Sequence, residues 1–159
     1  EIRNLADSHA GIDEWKKAGF NELQVLEITK GNDNGVDISI YASPEYNSRQ
    51  MKVIRMALEE GIDVSAMADP EYNYMQMEQI KEGIKEGIDL SLICNPKYDY
   101  SVMREIRLAL KYRFDLTRYA KLGYSGEVLR QIRLAKRDDV DLTFSLMRIS
   151  MHTSLTRLE

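Results

Sequence analysis

The sequence predicts an all-α fold: a right- or left-handed helical-repeat solenoid of about five 26-residue helix-loop-helix units, closed by a C-terminal capping helix. Three observations carry this expectation. Asp37, Asp63, Asp89, Asp115 and Asp141 recur every 26 residues, each with a serine or threonine two places on. A second column on the same period is aromatic: Phe20, Tyr46, Tyr72, Tyr98 and Tyr124. Helix-start signals also repeat, as Asn21 with Gln24, Asn47 with Gln50 and Asn73 with Gln76. A unit of roughly 20 to 50 residues cannot bury its apolar face alone, so a fixed period of that length implies stacked neighbours.

The chain opens inside a pattern that is already running. Ile2 is in register with Ile28, Ile54, Ile80, Ile106 and Ile132, and Arg3 with Arg55, Arg107 and Arg133. Position 1 is Glu, so the expectation is a fragment of a longer array or a processed chain, with Leu158-Glu159 read as a cloning remnant. Residues 1–159 then form a single domain, with units at about 11–36, 37–62, 63–88, 89–114 and 115–140. The first unit is irregular. Gly11-Ile12-Asp13 precedes Trp15 by two residues fewer than the period asks, and the stretch from Gly31 to Gly35 has turn composition where a helix end is due.

Residues 37–62 show one unit in full. Asp37 caps a short helical piece running through Ala42, because its carboxylate accepts from the free amides of a first turn. Pro44 stops that piece. Asn47 and Gln50 make a capping box for a long helix, and Tyr46 and Met51 have the spacing of a hydrophobic staple. Met51, Ile54 and Leu58 lie at i, i+3 and i+7 and form one apolar stripe. Gly61 stops the helix. The column Gly31, Ala57, Gly83, Ala109 and Ala135 is small throughout and reads as the seam between units. Gln79, Glu105 and Gln131 read as solvent-facing, so Glu105→Ala is expected to be neutral. In the later units Lys121-Leu122-Gly123 replaces the proline turn, and Arg113 and Asp139 replace the terminal glycine. Phe144, Met147, Met151, Leu155 and Leu158 keep a helical spacing and predict the capping helix at 141–158.

The units YASPEYNSRQMKVIRMALEEGIDV and MADPEYNYMQMEQIKEGIKEGIDL resemble short helical repeats of uncharacterised gut-bacterial proteins, of the type Tyr-Ala-x-Pro-x-Phe/Tyr followed by Gln-Met-x-x-Ile-Arg. The resemblance covers 37–116 well, 117–142 loosely and the remainder poorly. It implies a bacterial helical-repeat protein and brings no activity, site or cofactor with it.

Composition narrows the classes of function. Hydrophobic residues make up 43% of the chain and charged residues 30%, which is a folding composition rather than a disordered one. No apolar run reaches the roughly 20 residues of a membrane helix, and no signal peptide is visible, so no membrane partner is expected. A single cysteine, Cys94, in a column otherwise held by Ala42, Ala68 and Ala120, points to a small packed residue in a reducing, cytoplasmic setting.

The aspartate column reads as capping and not as a cation site, since ligands at coordinating offsets are missing. His9 and His152 stand in no ligand motif, and no phosphate loop, HExxH or GxSxG occurs. No catalytic, metal or cofactor-binding residues are expected, and the chain reads as a non-enzymatic, protein-binding scaffold. Its candidate contact residues are Tyr74 and Tyr100, at the first turn of long helices, and two basic rows, Arg104, Arg107 and Lys111, then Arg130, Arg133 and Arg137. Residues 1–100 carry 10 basic against 19 acidic side chains (−9), and residues 101–159 carry 12 against 7 (+5), giving the net −4. This polarity suits a negatively charged protein partner or head-to-tail self-association. One alternative is nucleic-acid binding by the basic C-terminal units, and another is an enzyme whose site is assembled in space. On this reading, reversing Arg107 and Arg133 to Glu weakens partner binding and leaves the fold intact.

Overall fold

The computed structural model describes residues 2–8 and 10–138, and among them regular structure is helical with no strand. Long and short pieces alternate. They are α1 (Ile2–Asp7), α2 (Ile12–Lys17), α3 (Glu22–Asp33), a 3-10 turn at Ile38–Ile40, α4 (Ser48–Glu59), α5 (Tyr74–Glu86), a 3-10 turn at Leu90–Leu92, α6 (Tyr100–Lys111) and α7 (Thr117–Lys121). Residues 126–138 are helical as well. The segment expected to cap the array, 141–158, lies outside the described residues, as do His9, His152, Asp139 and Asp141.

Side-chain caps start each long helix. In α4, Asn47 Oδ1 accepts from the Arg49 and Gln50 amides at 3.0 Å, and Gln50 Oε1 accepts from the Asn47 amide at 2.8 Å. Asn21 with Gln24 and Asn73 with Gln76 build the same box for α3 and α5. Asp99 caps α6 without a glutamine, because Val102 stands at that position. A box satisfies two orphan amides reciprocally. The glutamines then reach further. Nε2 of Gln24, Gln50 and Gln76 donates to the carbonyls of Tyr46, Tyr72 and Tyr98 at 2.7, 2.6 and 2.6 Å, so each cap is tied to the turn of the following unit.

The short pieces are capped as their spacing demands. Asp37, Asp63, Asp89 and Asp115 accept from the amides of Ser39, Ser65, Ser91 and Thr117 at 3.1, 3.0, 3.0 and 2.7 Å. What they cap is shorter than expected. The first is a single 3-10 turn ending at Ile40, not a helix through Ala42, and only α7 is α-helical.

Helix ends repeat with equal fidelity. The amides of Val36, Ile62, Ile88 and Phe114 bond back to the carbonyls of Gly31, Ala57, Gly83 and Ala109, five residues earlier. That closure needs a left-handed residue just before the donor, which Gly35, Gly61 and Gly87 supply at φ of 74°, 73° and 66°. Arg113 adopts the same conformation at φ 60°. A side chain there is disfavoured by about 1 kcal/mol. Arg113→Gly is therefore expected to raise stability by roughly 0.5–1 kcal/mol in urea unfolding, the gain limited by glycine's greater freedom in the unfolded chain.

Inside, the period becomes a set of buried columns. Ile28, Ile54, Ile80 and Ile106 are fully buried, as are Met51, Met77 and Met103, and Tyr41, Met67 and Ile93. Trp15 belongs to this last column, so the first unit keeps register. Gly11 occupies the cap position there and makes no side-chain cap, which corrects the two-residue slip inferred from Asp13. The stretch from Gly31 is also more regular than its composition suggests, since α3 continues through Asp33.

The small column faces a different neighbour from the one expected. A Cβ on Gly31 would fall 1.8 Å from Tyr41 Oη, and one on Gly83 would fall 3.0 Å from Ile93 Cδ1. The small residues thus admit the short piece that follows their own helix, rather than the next long helix. Ala135, the last of the column, is exposed.

Candidate functional site

The two basic rows do not share an exposed side. Arg107 is buried, with Nε donating to Gln79 Oε1 at 3.2 Å and Nη1 to Glu86 Oε1 at 2.6 Å. Lys111 pairs with the same carboxylate. Arg133 Nε donates to Glu105 Oε2 at 2.6 Å, and the two side chains are 11% and 4% exposed. Glu105 is therefore an internal ion-pair acceptor, which overturns its reading as a residue facing water. The physical reason lies in reach: an arginine stem can cross to the preceding helix, and a guanidinium leaves water only against a paired acceptor. Of the six predicted basic residues, Arg104 and Arg130 are exposed and make no buried pair. Arg104 has no ion pair among the described residues, and Arg130 lies 3.9 Å from Glu127. Arg137 is half-buried beside Asp138 at 3.0 Å.

These ties belong to a ladder. Arg55 donates to Glu27 at 2.9 Å, Arg107 to Gln79 and Arg133 to Glu105, each across 28 residues. A second ladder joins helix ends 25 residues apart, from Asn34 to Glu59 at 2.7 Å, from Lys85 to Glu60 at 3.2 Å and from Lys111 to Glu86. Glu86 is the junction of both. Its Oε2 is buried without a hydrogen-bond partner. Burial pushes its carboxyl up, but the hydrogen bonds from Lys111 and Arg107 outweigh that and leave it below the usual range.

The predicted aromatic contacts also divide. Tyr74 is half-buried beneath Arg49, whose guanidinium carbon lies 5.2 Å from the ring centroid. Tyr100 is 42% exposed. Gly126, which holds the same position in the last described unit, is buried with Ser101 against it, so this column is not uniformly an outer one. Tyr124, the last of the aromatic column, is 44% exposed and stacks on Tyr119 at 6.0 Å. Arg118 lies over the other ring of that pair, 4.4 Å from the Tyr119 centroid.

The carboxylates point to structural work. Hydrogen bonds from Ser39, Ser65, Ser91 and Ser101 hold Asp37, Asp63, Asp89 and Asp99 below the ordinary range, and those from Asn34 and Arg55 do so for Glu59. No group of three or more His, Cys, Asp or Glu able to hold a metal occurs among the described residues. Each shift is downward, so the unfolded chain binds more protons as acid is added. Stability should be level above about pH 5 and fall progressively below about pH 4, as urea midpoints measured from pH 7 to pH 3 would show. Burial pushes the Cys94 thiol up, which works against thiolate chemistry at neutral pH. No helix among the described residues is long and apolar enough to cross a membrane.

What remains exposed or half-buried, and variable, is the outer face of the long helices. One column there reads Leu26, Lys52, Glu78, Arg104, Arg130, and another Lys30, Met56, Glu82, Leu108, Leu134. Large apolar side chains stand out on it at Leu23, Leu26, Met56 and Met75. Periodicity in the sequence points to the basic rows but passes over Arg49, Lys52 and Met56 on this face. Their signal is variation within a column and not recurrence. Compared with protein families, curated proteins and solved structures, the chain matches none of them.

Proposed function

We propose that the chain is a helical-repeat solenoid whose role is to bind another protein, with the outer face of the long helices as its contact surface. The observation that carries this reading is the contrast between columns. The inward columns through Ile54, Met51 and Ala57 keep Ile, Met or a small residue across the central units, and the column through Tyr41 stays apolar, while the outward columns change from apolar to acidic to basic. Stacked units place successive side chains of a column on adjacent helices, roughly 10 Å apart, so such variation writes a chemical pattern on an extended surface. Exposed Met56 and Met75 add side chains of a type enriched at protein interfaces, and exposed Leu23 and Leu26 extend the apolar area.

The same geometry weakens the nucleic-acid alternative, because Arg107, Lys111 and Arg133 spend their charge on internal carboxylates. It also changes the test. Reversing Arg107 and Arg133 would break buried pairs and so report on folding. The discriminating experiment is affinity capture from the native cell with the chain as bait, compared with an Arg104→Glu, Arg130→Glu variant and with sedimentation at low salt. A protein partner captured stoichiometrically supports the scaffold reading. Self-association that the double reversal abolishes would make the partner a second copy, and recovery of nucleic acid alone would overturn the proposal.

A further inference from the structure

The contact between α4 and α5 departs from its neighbours. At 27/55, 79/107 and 105/133 an acceptor on one long helix takes an arginine from the next. At the equivalent 53/81 the acceptor is replaced by Val53 and the arginine by Lys81, which turns back to Glu78 on its own helix at 2.7 Å. At this seam, which lacks the 28-residue tie while keeping the Lys85–Glu60 pair at the helix ends, lies a cavity of about 300 Å3, lined by Arg49, Lys52, Val53, Met56, Tyr74 and Glu78. Val53 is buried, and Met56 is 37% exposed. Arg49 is held over the Tyr74 ring. Neither Arg49 nor Lys52 has an ion-pair partner among the described residues, whereas the charge of Glu78 is met by Lys81.

We propose that this groove docks an acidic peptide segment of a protein partner, with an apolar side chain entering against Val53 and Met56 and flanking carboxylates meeting Lys52 and Arg49. The proposal rests on the interaction-scaffold reading and names its partner class. Charge decides the occupant. A basic segment would meet two uncompensated cations. A phosphate backbone would meet the two cations but brings no apolar side chain for Val53 and Met56. An acidic segment with an apolar residue satisfies both halves of the groove, and Arg49, fixed by its contact with Tyr74, loses less freedom on pairing than a free side chain does.

The test uses the chain with fluorescently labelled 12-residue peptides, each carrying a central Leu, Met, Phe or Trp flanked by Asp and Glu, and matched peptides in which Lys replaces the acids. Fluorescence anisotropy should show members of the acidic set binding with a dissociation constant at or below about 100 µM, and the lysine set at least about tenfold more weakly. The double substitution Val53→Glu, Lys81→Arg installs the tie found at the neighbouring seams and should abolish binding while the helical circular dichroism spectrum is retained. Lys52→Glu, an exposed change with no partner to lose, should weaken binding at least about tenfold, and Lys97→Glu, an exposed charge reversal in a turn outside the groove and off the outer face of the long helices, should leave it unchanged. Equal binding of the two peptide sets, no acidic member bound, or binding indifferent to both Lys52→Glu and the double substitution would overturn the proposal. So would displacement of a bound peptide by a single-stranded oligonucleotide. Failure here is separable from failure of the scaffold reading. A native partner retained by both variants sinks the groove alone, whereas a chain that captures no protein sinks the scaffold.

Discussion

Glu105→Ala is expected to lower the unfolding free energy by about 3 kcal/mol, a large effect for a residue whose helical spacing suggests an outer position. Its carboxylate is the ion-pair partner of Arg133 at 2.6 Å, and both side chains are out of water. Removing the acid strands a guanidinium where solvent does not reach it, and the loss is the cost of the unpaired charge more than the worth of the bond. The pair itself need not be stabilising. Glu105→Leu with Arg133→Met should return to within about 1 kcal/mol of the parent, because an apolar pair of similar volume avoids the desolvation of two ions. Urea unfolding of the two singles and the double closes the cycle. A neutral Glu105→Ala would mean that Arg133 swings out to water in solution and that the ladder ends before it.

Gly31→Ala should cost about 2–3 kcal/mol, with a sign opposite to that of the usual glycine-to-alanine change within a helix. Gly31 sits in α3 without positive φ, where alanine normally gains about 1 kcal/mol. Here a Cβ would fall 1.8 Å from the hydroxyl of Tyr41, which is fully buried and donates to the Glu27 carbonyl at 3.1 Å. The ring has nowhere to retreat, so the added methyl displaces it and its hydrogen bond. In a Tyr41→Phe background the offending oxygen is gone, and the penalty of Gly31→Ala should shrink by at least about 1 kcal/mol. Additive effects would show that the clash relaxes through the backbone instead.

The starts of α3, α5 and α4 can be read from sequence because a capping box is local: Asn and Gln three residues apart decide the matter without help from the rest of the chain. The stops at Gly61 and Gly87 are legible for the same reason. Gly31 to Asn34 looks like a turn, yet most of it is helix, because Tyr41 packs over Gly31 and tertiary contact outweighs composition. Periodicity puts Arg107 and Arg133 on the same helix face as Arg104 and Arg130, but it does not say which stem crosses to the helix before. That depends on the offset between neighbouring helices. The offset makes the partner lie 28 residues back, rather than 26, and no spacing within one helix contains it. The α4–α5 groove was present in the sequence only as two departures, Val53 from an acceptor column and Lys81 from an arginine column, and their meaning depends on knowing that those columns touch.

The glutamine amides that bridge from one cap to the next unit's turn give the chain a direction in time as well as in space. Each of Gln24, Gln50 and Gln76 completes its bonds only when the residues 20 to 22 places downstream are in position. A chain emerging N-terminus first holds every such cap incomplete until the next unit has been made, so a stalled product carries one unsatisfied amide at its growing edge. Val102 interrupts the series, and beyond it this latch is missing. Amides of residues 117–138 should therefore exchange with solvent through openings that leave 21–98 closed, so that the latched part unfolds as one block and the remainder breathes on its own.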